Sequence, residues 1–128
     1  MKPAALFFRG VRLLLAPVML AWLHAPVTGR IRRSPEQQAH LDRKLDGLTL
    51  YIFPTCPFCI RTRRAMRRLG IDLPLRDARN DPQARAELER GGGKVQVPCL
   101  RIQRPDGERW LYESEDIVAY LEELAASS

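Results

Sequence analysis

Cysteine is scarce in this chain, with three in 128 residues. That is too few to staple a small fold by disulfides, and two of the three stand together at positions 56 and 59. The count points to a reducing compartment and a working dithiol, not to a secreted scaffold. Histidine is scarcer still. His24 and His40 have no Cys, Asp or Glu partner at a ligand spacing, so no metal site is expected. Aromatic residues make up 7%, and neither an aromatic-basic array nor a zinc-finger spacing is present, which argues against a nucleic-acid partner. No apolar run reaches the roughly 20 residues that a comfortable spanning helix needs. The longest uncharged stretch, Leu13 to Gly29, is interrupted by Pro17 and Pro26. Acidic residues are sparse at the N-terminal end: residues 1–47 hold 8 Lys and Arg against 3 Asp and Glu, a net of +5. Residues 48–128 hold 13 against 12, so the pI of 9.8 belongs to the N-terminal part. A basic segment beside apolar sequence suits anionic lipid better than nucleic acid.

What is present divides the chain in three. Residues 1–33 form an apolar and basic segment, with Arg9 and Arg12 before the uncharged stretch and Arg30, Arg32 and Arg33 after it. A cleaved signal peptide is a rival reading. The Leu23-His24-Ala25 step makes a poor cleavage site, however, and the arginines just beyond would oppose export. Membrane attachment through residues 1–33 is the expectation, as a strained span or as a helix at the interface. Packing on the protein's own surface is the alternative. Residues 34–47 read as a helical linker: Ser34 as N-cap, Pro35 at the first helical position, Gln37 closing a capping box, and a thin apolar stripe of Leu41 and Leu45. Such a stripe packs lightly or serves as a spacer.

The third part, residues 48–126, carries the chemistry. Leu48 to Phe53 is a short buried strand, and Cys56-Pro57-Phe58-Cys59 sits where it gives way to an arginine-rich helical pattern from Ile60 to Leu69. Cysteines at i and i+3 share a helical face, and the first lies at the positive end of the helix dipole. Cys56 is therefore the better thiolate and Cys59 the resolving thiol. Half a zinc site, or two buried cysteines, would fit the same spacing. The arginines 61, 63, 64, 67 and 68 read mostly as a solvated face, with one or two near the helix start able to hold the thiolate or an anion.

Further on, Ile71 to Arg76 alternates as an edge strand would, Pro82 to about Arg90 is a second helix, and Gly91-Gly92-Gly93 reads as a flexible connector without phosphate-loop spacing. Val95 to Ile102 and Arg109 to Tyr112 form a hairpin around Pro105-Asp106-Gly107. Asp116 to about Ala125 is a last amphipathic helix. The order is β-α-β-α-β-β-α, an α/β domain.

The strand into Cys56-Pro57-Phe58-Cys59, the Val97-Pro98 step and the Glu113-Ser114 turn before a helix resemble the glutaredoxins, which have a thioredoxin-like fold, and the related N-terminal domain of glutathione transferases. The resemblance covers roughly residues 48–125. It implies Cys56 as nucleophile, Cys59 as resolving thiol and a cis Pro98 facing the dithiol. It also implies that the Val97 backbone pairs with glutathione as an added strand, with Phe58, Glu113 and Ser114 at the same site. Glutathione enters as co-substrate and no bound cofactor is implied. Three departures stand out. Phe53 occupies the place of a lysine found in many glutaredoxins, Phe58 that of a tyrosine, and Gln96 that of a threonine. Cys99 reads as a small buried strand residue.

The function implied is a glutathione-dependent thiol-disulfide oxidoreductase acting on protein disulfides or glutathionylated proteins, on the cytoplasmic face of a membrane or in the cytoplasm. A glutathione-ligated iron–sulfur carrier and a redox-inert, transferase-like binding module are the competing readings.

Overall fold

The computed structural model describes residues 16–26 and 29–126. Arg9, Arg12, Val27, Thr28, the start of the Leu13–Gly29 stretch and the two C-terminal serines lie outside the described residues. Among the described residues helix α1 covers 16–24. It is followed by α2 (Pro35–Lys44), β1 (Leu48–Ile52), α3 (Pro57–Leu69), β2 (Leu75–Asp77), α4 (Pro82–Gly92), β3 (Cys99–Arg104), β4 (Gly107–Leu111) and α5 (Ser114–Ala126). The β-α-β-α-β-β-α order read from the sequence is the order observed, and the domain is thioredoxin-like.

The four-stranded sheet runs β2-β1-β3-β4. Strand β1 is parallel to β2, which requires the α3 crossover, and antiparallel to β3, which hairpins into β4. Alternation along β1 separates two cores. Leu48, Leu50 and Ile52 join Leu100 and Ile102 of β3 against Cys59, Met66 and Leu69 of α3 and Ile117 and Leu121 of α5. Tyr51 and Cys99, paired in register, face the other way onto Ala84 and Leu88 of α4.

Several boundaries differ from the sequence reading. Helix α3, however, begins at Pro57, directly after the cysteine expected to lead it, because proline is well suited to a first helical position. It closes on Gly70, whose φ of 71° lets Ile71 N–H reach back to the Met66 carbonyl. Strand β2 is only three residues long. Pro74 has no N–H for a ladder and contributes only its carbonyl, to Leu50 N–H, while Ile71 and Leu73 ahead of it are buried as core-filling connector. Helix α4 runs through Gly91 and Gly92 instead of stopping at Arg90. A Cβ at Gly91 would collide with the Trp110 ring and one at Gly92 with the Tyr112 hydroxyl, so these glycines are close-approach positions, not a flexible connector. Strand β3 starts at Cys99, since Pro98 offers no N–H to continue it.

The helix of residues 34–47 has the expected capping box between Ser34 and Gln37. Its stripe packs deeply, however: Leu41 and Leu45 are buried in the main core, and Gln38 donates to the Gly70 carbonyl. The arginines of α3 are also less solvated than expected. Arg64 Nη1 donates to the Trp22 and Ala25 carbonyls, Arg64 Nη2 to Pro26 O, and Arg67 Nη1 to the Leu23 and Ala25 carbonyls. These carbonyls lie at and just beyond the C-terminal end of α1, the negative end of its dipole, which attracts cations. Leu23 is buried beside them. The end of α1 thus packs on the domain's own surface. Arg33 caps α3 at the Leu69 carbonyl, and Arg104 caps α2 at the Lys44 and Asp46 carbonyls, by the same chemistry.

Candidate active site

The strand-to-helix turn positions the dithiol. Cys56 N–H donates to Phe53 O at 3.1 Å, which tightens the turn, and the Cys56 carbonyl accepts the first bond of α3 from Ile60 N–H at 2.9 Å. Cys56 is the N-cap, with extended φ and ψ of −78° and 125°, and Pro57 opens the helix. One turn on, Cys59 is fully buried under the main core, and its sulfur accepts a 3.5 Å bond from Phe53 N–H. Cys56 is half-buried and both thiols are free.

The two sulfurs are electrostatically unequal. The Cys56 thiol is lowered from 9.0 to about 6, first by hydrogen bonding from the Cys59 thiol and then by the Cys59 and Phe58 backbone amides, against the opposing effect of burial. Those amides belong to the first turn of α3, whose positive end favours the thiolate. The same thiol–thiolate bond drives Cys59 upward, and burial adds to the rise; Arg63, four residues on, pulls the other way. Cys56 is thus the thiolate at neutral pH, and Cys59 holds its proton.

Beside this turn lies a cavity of about 370 Å³ lined by Phe58, Arg61, Gln96, Val97, Pro98, Tyr112, Glu113, Ser114, Glu115 and Asp116. The structure brings Phe58, Val97, Pro98, Glu113 and Ser114, scattered over more than fifty positions, around one space. The Val97–Pro98 bond is cis. Ser114 is the first residue of α5 and only 9% exposed, and the Glu113 carbonyl accepts the helix's first bond from Ile117 N–H. The sequence reading left Tyr112 and Asp116 unassigned at this site and placed Arg61 only among the arginines near the helix start that could hold the thiolate or an anion. Arg61 had a signal, since it stands three residues after Phe58 on the same helical face. It is exposed, is the cavity's cation opposite Glu113, Glu115 and Asp116, and forms no ion pair among the described residues.

Cys99 takes no part in this cavity. Burial pushes its thiol up to about 12, in a pocket shared with Tyr112 on the opposite sheet face, so it is inert. His24 and His40 are exposed, and no cluster of metal-ligating side chains occurs among the described residues.

A thioredoxin-like sheet with a thiolate at a helix start and a cis proline beside it defines a class of thiol-dependent proteins, and comparison with known proteins narrows it. A family model described as Glutaredoxin matches residues 48–110. The chain is 35% identical over 55 residues to a Glutaredoxin of Pseudomonas aeruginosa, covering 43% of this chain and 66% of that protein. It is 36% identical over 78 residues to Glutaredoxin 2 of Escherichia coli, covering 60% of this chain and 34% of that protein. The chain therefore spans just under two thirds of the first relative's length and about a third of the second's. No solved structure matches. The chain belongs to the glutaredoxin family.

Proposed function

We propose that this chain is a dithiol glutaredoxin that reduces protein disulfides or protein–glutathione mixed disulfides at Cys56, with glutathione as reductant. The observation that carries the reading is the placement of two free thiols one helical turn apart, Cys56 half-buried at the N-cap of α3 and Cys59 fully buried beneath it, which lowers the first and raises the second. The Cys56 thiolate attacks one sulfur of the substrate disulfide, forms a mixed disulfide and expels the other sulfur as a thiolate. Forming that bond removes the negative charge to which Cys59 was donating. Cys59 then loses the interaction that held its proton, becomes a thiolate more readily and attacks Cys56, releasing the substrate thiol. One glutathione opens the Cys56–Cys59 disulfide and a second removes the first as oxidised glutathione, so two electrons enter and two leave.

Glutathione fits the cavity by charge. Its glycyl carboxylate finds a cation in Arg61, which takes over the role of the lysine replaced by Phe53. Its γ-glutamyl end meets Ser114 and the acids at the start of α5, and the Val97 backbone lies outside β3, free to pair with a peptide-like ligand.

Residues 1–33 form the attachment segment of this reading, 34–47 the helical linker and 48–126 the redox domain, on the cytoplasmic face of a membrane or in the cytoplasm. Among the described residues no helix is long and apolar enough to cross a membrane. Val18 and Trp22 of α1, at i and i+4, share one helical face and are exposed, as is Leu20, which leaves apolar surface suited to lie at a bilayer interface.

The test is glutathione-dependent reduction of a mixed disulfide of glutathione and mercaptoethanol by the full chain. The reading expects turnover that saturates with the disulfide; a rate no greater than that of glutathione alone contradicts it.

A further inference from the structure

A second cavity, of about 210 Å³, lies where α1 meets α3, lined by Leu23, His24, Arg63, Met66, Arg67, Ile71, Asp72, Leu73 and Leu75. Arg63 sets it apart. It is half-buried, burial disfavours its charge, and it donates no hydrogen bond and forms no ion pair among the described residues. Its half-buried neighbours are engaged, Arg64 by the α1 carbonyls and Arg68 by Glu122 at 3.2 Å. A partly desolvated guanidinium with idle donors is costly unless an acceptor arrives. Arg67 stands at the same cavity and uses only Nη1 on the α1 carbonyls, which leaves Nη2 and Nε. Asp72 opposes them with one negative charge but pairs with neither, so the two guanidiniums outweigh it.

Apart from His24 the rest of the wall is apolar, from Leu23, Met66, Ile71, Leu73 and Leu75. The volume is below the roughly 300 Å³ at which small-molecule sites begin, so it suits a phosphate and a few carbons. The exposed Val18, Leu20 and Trp22 belong to the helix that forms one side of the cavity. A ligand with an anionic head and an apolar remainder left in a bilayer matches all of this.

We propose that the cavity between α1 and α3 binds the phosphate of an anionic membrane lipid through Arg63 and Arg67, seating the domain on the bilayer. The proposal rests on the membrane-attachment reading of residues 1–33. A phosphate there would also offset the charge Arg63 exerts on Cys59, so lipid engagement and the resolving step meet at one residue.

The experiment is co-sedimentation of the full chain with phosphatidylcholine vesicles, with and without phosphatidylglycerol, for the wild type, Arg63→Gln and Arg30→Gln. Arg30 is exposed, outside the cavity and removes the same charge. Loss of one surface charge weakens binding about fivefold. The proposal expects Arg30→Gln to lose no more than that and Arg63→Gln to lose well over tenfold, with circular dichroism unchanged and Arg63→Lys recovering part of the loss. Equal losses for both glutamine variants would overturn the site while leaving membrane attachment standing. No wild-type binding to either vesicle would remove the attachment reading itself. Inorganic phosphate that binds the wild type at millimolar concentration and not Arg63→Gln would reassign the site to free phosphate and overturn the lipid assignment.

Discussion

Cys59 lies fully buried one helical turn on from the half-buried Cys56, and the interaction of the two thiols moves them in opposite directions. It makes the half-buried sulfur the nucleophile and keeps the buried one in reserve until Cys56 has been consumed. The helix start adds to the effect but ranks below the thiol.

Alkylation of Cys56 by iodoacetamide should follow a thiolate that forms around pH 6, down from 9.0. Deprotonation makes the nucleophile, so the rate rises with pH and levels off above about 7, with a gain of roughly tenfold between pH 5 and 7. Cys59→Ala removes the donor and should move the midpoint upward. A wild-type midpoint near 9 would remove the electrostatic account.

Arg61→Gln should raise the KM for glutathione by about threefold to tenfold and leave kcat nearly unchanged, because an exposed cation that holds a carboxylate contributes to binding more than to the reaction. Steady-state kinetics at varied glutathione measure it. An unchanged KM would leave the cavity without its assigned cation.

The domain's framework was legible in the sequence where its causes are local. The β1 run, Cys56-Pro57 at a helix start, the Ser34 capping box and the turn into β4 are each set by neighbours within a few residues. Phe58, Val97, Pro98, Glu113 and Ser114 were named ahead because of the order in which their motifs occur. What escaped depends on distant partners. Arg64 and Arg67 look like a solvated charge run until the end of α1 arrives some forty residues from them. Gly91 and Gly92 look like a connector until Trp110 and Tyr112 occupy the space a side chain would need. Leu41 and Leu45 make too thin a stripe to announce a core position, yet both are buried.

That burial makes α2 part of the domain's stability. Leu41→Ala should destabilise the protein by about 2–5 kcal/mol, the usual cost of emptying a fully buried leucine site. Urea unfolding with an unchanged m-value measures it, and a loss below about 1 kcal/mol would show α2 to be a loosely held spacer.

Removing residues 1–33 should leave a folded, active protein, because every buried residue of the main core lies from Leu41 onward. Stability should fall by about 1.5–3 kcal/mol for the lost burial of Leu23. The same truncation should move the protein from membrane pellet to supernatant on fractionation. A truncated chain that fails to fold would make α1 integral to the domain, and full-length protein found only in the supernatant would end the membrane reading.

The division of labour between the two thiols is tested most directly by Cys56→Ser and Cys59→Ser assayed in parallel on a glutathione mixed disulfide and on a protein disulfide. Cys56→Ser should be inactive on both, at least a hundredfold below wild type. Cys59→Ser should keep activity on the mixed disulfide, where glutathione resolves the intermediate, and lose it on the protein disulfide, where Cys59 must. An active Cys56→Ser protein beside an inactive Cys59→Ser protein would reverse the roles and contradict the account.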